Sequence, residues 1–327
     1  MQTRKFVIDP GSAFVTLYGD ALIYREPNVA VVRRGRMTEV LAYGEEAANM
    51  RTLPDHSVLS RPVQGGIVKQ PDVLGLVLKK IFEKYIPQNL FKAVELYVPV
   101  PAGLSIVERE NLEKAVASAG YRDVTLIETP LCFLPRFDGG DTMVAVFGAG
   151  VTDVGVVNSE GIVTASTVDI GGDALDEKIK GVLLQNRNFK IDSAAAERLK
   201  KAIGSLYTVD TSAVSVIGQD ILDLRSKSIE ISATQIAPAI HYCYSRILDI
   251  LETTLASLPR GKQEEVRSNG LYIAGGGAGM NGLGDYLQRG LRIPVTLDPD
   301  YETAMVKYLA KLISSDKFAQ LLRAVGK

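Results

Sequence analysis

Cysteine and histidine are scarce in this chain, with two of each among 327 residues. Cys132 and Cys243 have neither metal-site nor redox-motif spacing, so we expect a reducing, cytoplasmic compartment. His56 and His241 are too few for a site that binds a metal through several histidines. Long apolar runs are also absent, and no stretch approaches the roughly 18 residues that a membrane span needs. We therefore expect any membrane contact to be peripheral.

The chain has nearly equal numbers of basic and acidic residues, 37 and 38, so its net charge is −1. This balance argues against a protein that binds nucleic acid by neutralising phosphates. Charged residues, a proline and a glycine occur within residues 1–11, too early for a secretory signal peptide. Apolar residues make up 46% of the chain, which is enough for a buried core and argues against intrinsic disorder.

A strand, a glycine-containing turn and a second strand occur twice, at residues 5–24 and 142–168. A third glycine turn, residues 275–278, follows the apolar strand Leu-Tyr-Ile-Ala. Glycine permits positive φ and close backbone approach, so such turns can direct N–H groups at a phosphate. Two of them facing each other across a cleft would hold a nucleotide from both sides. Chain length and internal duplication together predict two lobes.

In both halves of the sequence β hairpins are followed by helices, an order that predicts α/β lobes with mixed sheets. Apolar spacing predicts amphipathic helices over residues 72–85 and 233–258. Ser105 and Glu108 form a capping-box pattern at the start of a helix that ends before Gly120. Further helices are expected over residues 193–206 and 281–289.

Taken in order, these segments resemble the actin-like superfamily and, within it, the bacterial MreB family. The resemblance rests on VIDPGSA, REPNVAVV, YGEEAANM, RPVQGGIV, the stretch from VPVPAGLS to LIETP, MVAVFGAGVTDVGVV, VDIGGDALDEKI, AAAERLKKAIGSLY and GLYIAGGGAGMNGLGDYL. It implies an α/β, two-lobed actin-like fold with duplicated, ribonuclease H-like mixed-sheet domains around a nucleotide cleft. The implied first lobe is residues 1–141 plus 302–327, with a small subdomain inserted at about 30–65. The implied second lobe is residues 142–301, with a small subdomain inserted at about 187–235.

The resemblance also implies the ligands, which are ATP or ADP with Mg²⁺. Asp9 would act on the metal through water, since magnesium keeps several of its waters. The other implied nucleotide-binding residues are Gly11, Ser12, Ala13, Phe14, Gly148, Ala149, Gly150, Thr152, Gly171, Gly172, Glu197, Lys200, Gly275, Gly276, Gly277, Ala278 and Met280. Two alternatives stay open. Asp-Pro-Gly also forms a plain β-turn, and Glu197 and Lys200 also suit a solvated helix face.

Several positions depart from the family pattern. Val146 stands where the family has a metal-shell aspartate, and Val151 stands where it has a threonine near the γ-phosphate. Thr129 replaces the glutamate that polarises the attacking water, and Glu128 beside it points to the opposite face of a strand. Phosphoryl transfer needs metal, charge stabilisation and a positioned water. We therefore expect weak or absent hydrolysis, with no firm catalytic residue, and we interpret Thr129 as a buried strand residue. Tyr308 lies where relatives carry glycines and is expected to crowd the adenine side.

Leu90 and Phe91 match a pair that inserts into lipid in membrane-bound MreB relatives. Burial of each side chain contributes only about 1.5–3 kcal/mol, so stable attachment would require many copies along a filament. The alternative is that both residues pack onto the first lobe.

The leading functional interpretation is a homopolymeric, actin-like filament that serves as a scaffold at the inner face of the cell membrane, with possible membrane-protein partners. The alternatives are an active Mg²⁺-dependent ATPase of the MreB type and a nucleotide-free pseudo-actin adaptor.

Overall fold

A computed structural model describes residues 3–86, 93–122, 124–318 and 321. The chain divides into two compact units. The first unit consists of Met1–Gly139, Val157–Thr167 and Thr303–Lys327, and the second consists of Gly140–Val156 and Val168–Glu302. The lobe and subdomain limits implied by the sequence remain predictions.

The first part of the chain is built mainly from strands. Its elements are β1 (Arg4–Pro10), β2 (Phe14–Tyr18), β3 (Leu22–Pro27), β4 (Ala30–Arg34), β5 (Thr38–Tyr43), α1 (Gly44–Ala48), β6 (Ser57–Ser60), β7 (Val63–Gln64), β8 (Ile67–Val68), α2 (Pro71–Tyr85), β9 (Val94–Val100), α3 (Ile106–Ser118) and β10 (Val124–Glu128). A 3₁₀ segment, Thr129–Arg136, follows β10 directly.

The main sheet of the first unit has the strand order β10-β9-β1-β2-β3. Its β1 strand is antiparallel to β2 and parallel to β9, so the sheet is mixed. One face of this sheet packs on α2, whose apolar stripe includes Leu74, Leu78 and Ile81. Ile8 and Leu17 meet that stripe from the strands and are fully buried. The turn between β1 and β2 is therefore anchored on a rigid core.

The second part of the chain alternates strands with longer helices. Its elements are β11 (Thr142–Phe147), β12 (Thr152–Asn158), β13 (Gly161–Val168), α4 (Gly172–Arg187), β14 (Phe189–Lys190), α5 (Ser193–Ile203), β15 (Ala213–Asp220), β16 (Ser226–Ser232), α6 (Ala233–Ser257), α7 (Arg260–Asn269), β17 (Leu271–Ala274), α8 (Leu283–Leu291), β18 (Val295–Leu297) and α9 (Ala304–Ser314). Short 3₁₀ segments occur at Gly276–Gly279 and Asp316–Phe318.

In the second unit, β12, β11, β17 and β18 are successive neighbours in one sheet. The strands β11, β17 and β18 run parallel, and Val146 lies beside Ala274 at the carboxyl ends of the first two. All residues of β11 and β17 are buried, as expected for central parallel strands covered on both faces. The glycine turns that follow β11 and β17 therefore emerge at the same edge of the sheet.

The predicted capping box at Ser105 is confirmed. The Ser105 hydroxyl accepts a hydrogen bond from the Glu108 backbone N–H, and the Glu108 carboxylate accepts one from the Ser105 N–H. The helix predicted over residues 193–206 is shorter than expected, because the chain becomes extended at Gly204 and Ser205 forms a bridge with Asn281. The helix predicted over residues 281–289 begins two residues later, after Gly282 with φ of 79°. Among the described residues, no helix combines the length and apolar character that a membrane crossing requires.

Candidate functional site

The turn between β1 and β2 carries the first group of predicted residues, and neighbouring segments hold it in place. The side-chain amide of Asn28 donates to the Gly11 carbonyl at 2.7 Å, and the Asn28 backbone N–H donates to the Ala13 carbonyl at 2.8 Å. The Ser12 hydroxyl accepts a hydrogen bond from the Gly66 N–H at 3.0 Å. The Ser12 side chain is thus used to fix the loop, and Asn28 and Gly66 are positioning residues that the sequence patterns did not reveal.

Asp9 lies at the end of β1, with its carboxylate over this turn. A Cβ atom added to Gly11 would be 3.5 Å from Asp9 Oδ1 and 3.2 Å from the Phe14 carbonyl oxygen. Burial raises the pKa of Asp9 to about 7, and the positive charge of Arg25 opposes that rise. A carboxylate in this environment exists partly in its neutral form near neutral pH.

The residues predicted to meet magnesium supply few ligand atoms. In the first unit Asp9 offers one carboxylate, and in the second unit the side chain of Val146 is buried and has no ligand atom. Within the part of the chain that the structure describes, no group of three or more His, Cys, Asp or Glu residues is arranged to hold a metal ion. A magnesium ion that arrived with a nucleotide would keep most of its waters.

Glu128 and Thr129, at the position of the predicted catalytic segment, are both engaged in structural contacts. The Thr129 hydroxyl donates to the Val100 carbonyl at 3.0 Å, and its side chain is buried. Arg109 Nη2 donates to Glu128 Oε1 at 3.2 Å in a half-buried ion pair. Thr129 begins the 3₁₀ segment and does not continue β10, so its predicted place on the strand is wrong although its burial is as expected.

The second predicted phosphate loop follows β11 and packs against the start of α4. The N–H groups of Gly172 and Asp173 donate to the carbonyls of Gly148 and Ala149 at 3.0 and 2.8 Å. Thr152 Oγ1 donates to the Ile170 carbonyl at 2.6 Å. The two predicted segments, residues 148–152 and 171–172, therefore form one connected structure.

Glycine is required at position 171 because the junction leaves no room for a side chain. A Cβ atom on Gly171 would lie 2.4 Å from the Ala149 carbonyl oxygen, a distance that no side chain tolerates without a backbone shift. Val151 is buried, and its carbonyl accepts the Gly148 N–H at 2.9 Å. The Val151 residue thus closes the turn through its backbone and contributes no polar side chain.

The two residues predicted on α5 have different environments. Lys200 is nearly buried, and its Nζ donates to Asp176 Oδ2 and to the Gly172 carbonyl, both at 2.9 Å. Glu197 is partly exposed and pairs with Lys201 at 2.7 Å. Burial raises the pKa of Asp176 to about 6, and the Lys200 charge opposes the rise. Asp176 was not among the predicted residues, although its place one helical turn after the Gly171–Gly172 pair is a signal in the sequence.

The glycine turn after β17 packs directly on the end of β11. Gly275 has a φ of +89°, and a Cβ there would be 2.5 Å from the Phe147 carbonyl oxygen. A Cβ on Gly277 would be 2.9 Å from the Phe147 Cβ, and the Gly277 carbonyl accepts a hydrogen bond from the Tyr244 hydroxyl at 2.9 Å. Among the described residues other than its two chain neighbours, none has an atom within 4 Å of a Cβ built on Gly276. The backbone at Gly276 therefore has free space beside it, whereas Gly275 and Gly277 pack directly against the end of β11.

The structure gathers the second-unit candidates at one edge of their sheet, at the carboxyl ends of β11 and β17. Ligands of open α/β sheets bind outside such strand ends. Ala278 is buried, and the Met280 Cε atom lies 3.2 Å from a Cβ built on Gly204, at the end of α5. In the first unit, Asp9, Gly11, Ser12, Ala13 and Phe14 lie together at the β1–β2 turn.

Two further predictions concern aromatic residues. The Tyr308 ring packs on Phe133, with ring centroids 5.8 Å apart, and Lys311 Nζ lies 5.0 Å from its centroid. The predicted crowding of adenine by Tyr308 stays a prediction. Leu90 and Phe91 lie outside the described residues.

The model of the MreB/Mbl protein family matches residues 3–320. The cell shape-determining protein MreB of Escherichia coli K12 is 30% identical over 322 residues, covering 94% of this chain and 92% of that protein. The cell shape-determining protein Mbl of Bacillus subtilis is 27% identical over 305 residues, covering 90% and 91%.

Two solved structures are similar to this chain over nearly its whole length. MreB5 of Spiroplasma citri bound to AMPPNP superposes with a TM-score of 0.87 at 22% identity, covering 99% of this chain and 98% of that one. The MamK double helical filament gives a TM-score of 0.79 at 18% identity, covering 95% and 99%.

Proposed function

The chain belongs to the MreB/Mbl protein family, and we propose that it is an actin-like cytoskeletal subunit that polymerises into filaments. The likeness to MreB5 and MamK confirms the predicted actin-like α/β fold with mixed sheets. Relatives named as cell shape-determining proteins support a scaffolding role, and the MamK filament supports self-association. Identical subunits that stack head to tail form an open filament when the contact does not close into a ring.

The nucleotide is ATP or ADP. The observation that carries this proposal is the convergence of two glycine turns at the ends of β11 and β17, beside the start of α4. Close backbone approach at Gly171 and Gly275 builds a surface on which the flat groups of a nucleotide can pack against main chain. MreB5 of Spiroplasma citri, which has the same fold, has been solved bound to AMPPNP and to ADP, and this supports a nucleotide as the ligand of the chain. Asp9 is the carboxylate left to meet any Mg²⁺ that accompanies the nucleotide, through water.

Hydrolysis is slow or absent in this proposal. The Thr129 hydroxyl is committed to the Val100 carbonyl, and Glu128 is paired with Arg109. Both valines, Val146 and Val151, lack groups that stabilise charge or position water. A nucleotide that is not hydrolysed acts as a structural ligand, and it stabilises the filament-competent conformation by its differential affinity for that conformation.

The test is negative-stain electron microscopy of the purified protein with ATP, with ADP and without nucleotide, combined with phosphate release measured on the same samples. We expect filaments whose abundance rises with nucleotide, and phosphate release far below that of an actin-like ATPase. Absence of filaments in every condition would contradict the scaffold. Steady turnover comparable to active relatives would favour the Mg²⁺-dependent ATPase.

A nucleotide-free adaptor is the second candidate, because several polar groups of the predicted loops are already used within the protein. Ser12, Thr152 and Thr129 each spend their hydroxyl on a backbone partner. A thermal-shift titration separates the candidates, since a ligand that binds the folded state raises the melting temperature. No shift at millimolar ATP, with or without Mg²⁺, would favour the adaptor.

The location is the inner face of the cell membrane, reached through Leu90 and Phe91. This part of the proposal rests on the sequence. Two apolar side chains give weak attachment for one subunit, and a filament multiplies the contact.

A further inference from the structure

The turn between β4 and β5, residues 33–37, forms a charged tip on the first unit and is called the arginine turn below. The Gly35 N–H donates to the Met37 carbonyl at 3.3 Å, which closes the turn tightly. Met37 is 83% exposed. Glu39 is the one acidic residue of the hairpin. The basic residues of the turn are all exposed, and they are Arg33, Arg34 and Arg36.

The strands that lead into the arginine turn are fixed to the rest of the first unit. Val32 and Val40 lie on either side of the turn and belong to the core under α2. The Thr38 hydroxyl donates to Asp72 Oδ2, at the start of α2, at 3.1 Å. A turn that is already rigid loses little conformational entropy when it docks on a surface.

The positive charge of the arginine turn is only partly balanced by its neighbours. Arg33 Nη1 lies 3.5 Å from Glu39 Oε2 in an exposed ion pair, and such pairs contribute little. Arg34 has a neutral partner, because its Nη2 donates to Gln70 Oε1 at 2.9 Å. Arg36 makes no hydrogen bond or ion pair with other residues that the structure describes. The turn therefore presents a net positive charge to solvent.

We propose that the arginine turn is a contact site for anionic lipid, at which the arginines meet headgroup phosphates and Met37 enters the boundary between headgroups and acyl chains. Each arginine beside an anionic membrane surface raises the affinity by about fivefold. Arginine also makes paired hydrogen bonds to phosphate oxygens. The inference rests on the proposed location at the inner face of the membrane and adds recognition of lipid charge to it.

The composition of the turn favours a lipid surface over a folded protein partner. Protein interfaces are centred on a buried core of several apolar or aromatic side chains, whereas Met37 is the single apolar residue of the turn. A layer of headgroups is fluid and adapts to a small projecting tip. Three arginines within four residues suit phosphates spread over a plane more than one bound anion.

The arginine turn and the predicted apolar pair would act as two complementary signals. Stable attachment to a membrane commonly combines an apolar group with a basic patch, because either one alone binds weakly. Leu90 and Phe91 would supply the apolar group, and the arginine turn would supply the charge. Repetition of both along a filament multiplies the attachment.

The experiment measures co-sedimentation of the full chain with liposomes of phosphatidylcholine alone and of equal parts phosphatidylcholine and phosphatidylglycerol. We expect the wild type to bind the charged liposomes at least about tenfold more strongly. This difference should shrink as salt is raised from about 0.05 to 0.5 M, because salt screens surface charge. Arg33→Gln combined with Arg36→Gln should weaken binding to charged liposomes by roughly tenfold and leave binding to uncharged liposomes unchanged.

Matched variants isolate the contact. Arg260→Gln combined with Arg267→Gln makes the same charge change at exposed positions of α7, in the second unit, and should leave binding unchanged. Arg33→Lys combined with Arg36→Lys keeps the charge and should retain most of the binding. Circular dichroism and thermal unfolding establish that each variant is folded, and the comparison of the two liposome compositions with the wild type needs no variant.

The outcomes separate this inference from the proposed location. Equal affinity of the wild type for charged and uncharged liposomes overturns the role of the arginine turn and leaves attachment through Leu90 and Phe91 in place. Equal losses for the glutamine variants of the turn and of α7 overturn it as well. Release of the bound protein by soluble glycerol phosphate at constant ionic strength would indicate a free phosphate ligand, which also overturns it. Absence of binding to both compositions overturns the membrane location, and this inference with it.

Discussion

At the scale of single residues, the glycines of the second unit fall into two classes. A Cβ on Gly171 would collide with the Ala149 carbonyl in the loop after β11, and a Cβ on Gly275 would collide with the carbonyl of Phe147, the last residue of β11. For Gly181, in the middle of α4, no atom of the described residues outside its own turn of helix lies within 4 Å of a Cβ built on it. The first class is required by packing, whereas the second lowers helix stability without a compensating contact.

The first prediction compares these classes. Gly171→Ala should lower the free energy of unfolding by about 1–3 kcal/mol, because the added methyl forces the Ala149 carbonyl to move. Gly181→Ala should raise it by up to about 1 kcal/mol through helix propensity. Urea denaturation of both variants measures the difference. An unfolding free energy for Gly171→Ala equal to that of Gly181→Ala would show that the junction of the two loops is not rigid.

A second prediction concerns Thr129. Thr129→Val keeps the shape of the side chain and removes the hydrogen bond to the Val100 carbonyl, at a cost of about 1–3 kcal/mol for the unpaired buried group. Phosphate release should not change, because the hydroxyl donates to the Val100 carbonyl and we propose no catalytic role for it. Thr211→Val, at an exposed position, is the matched control and should be nearly neutral. A clear fall in phosphate release for Thr129→Val alone would give the hydroxyl a catalytic role.

At the scale of elements, helices with a strong apolar period or a capping signal were accessible from sequence, whereas α7 and the 3₁₀ segment Thr129–Arg136 were not. The predicted helices over residues 72–85 and 233–258 correspond to α2 and α6, each with a continuous buried stripe. The α7 helix has one buried residue, Val266, so its sequence carries almost no periodic signal. The segment Thr129–Arg136 contains Pro130 and Pro135, which are typical of turns and here lie near the two ends of a 3₁₀ helix. Apolar periodicity reports burial, and elements held mainly by backbone geometry lack it.

The junction of α4 and α5 gives a third prediction, on pH. Asp176 has a folded-state pKa of about 6, above its ordinary value of 3.8, because burial disfavours the charged form. A raised pKa means that this residue favours folding at low pH and that the contribution is lost as pH rises through 6. Relative to Asp176→Asn, the wild type should lose about 2 kcal/mol of unfolding free energy between pH 4.5 and 7.5.

Chemical denaturation of both proteins at the two pH values provides this double difference. The comparison cancels the other titrating groups and the static cost of leaving Lys200 without its carboxylate partner. Parallel pH profiles for the two proteins would mean that Asp176 stays charged in the folded state throughout this range.

At the scale of the whole molecule, the family and fold follow from the order of the motifs along the chain. The same motifs identified which polar groups the family would use and the sequence lacks, at Val146, Val151 and Thr129. They did not reveal which partners the remaining polar groups bind. Two such contacts, from the Gly66 N–H to Ser12 and from Lys200 to Asp176, each join segments more than 20 residues apart in sequence. Such pairings are a property of the folded chain and leave no local pattern.

A fourth prediction addresses attachment to lipid. Filaments of the wild type should co-sediment with liposomes of bacterial lipid composition, and replacing both Leu90 and Phe91 by serine should abolish this, because the apolar contribution of each is only about 1.5–3 kcal/mol. The matched control replaces Leu222 and Leu224, which are 77% and 70% exposed, and should leave co-sedimentation intact. Equal losses from both double substitutions would indicate nonspecific apolar adhesion.

The hydrogen bond from Thr129 to the Val100 carbonyl limits which side chains this position accepts. A glutamate here would leave that carbonyl unpaired and bring a charge into a buried site, and each change carries its own penalty. Glutamate at position 129 alone is therefore expected to destabilise the protein. If hydrolysis is slow or absent, as proposed, this contact makes the loss hard to reverse by one substitution.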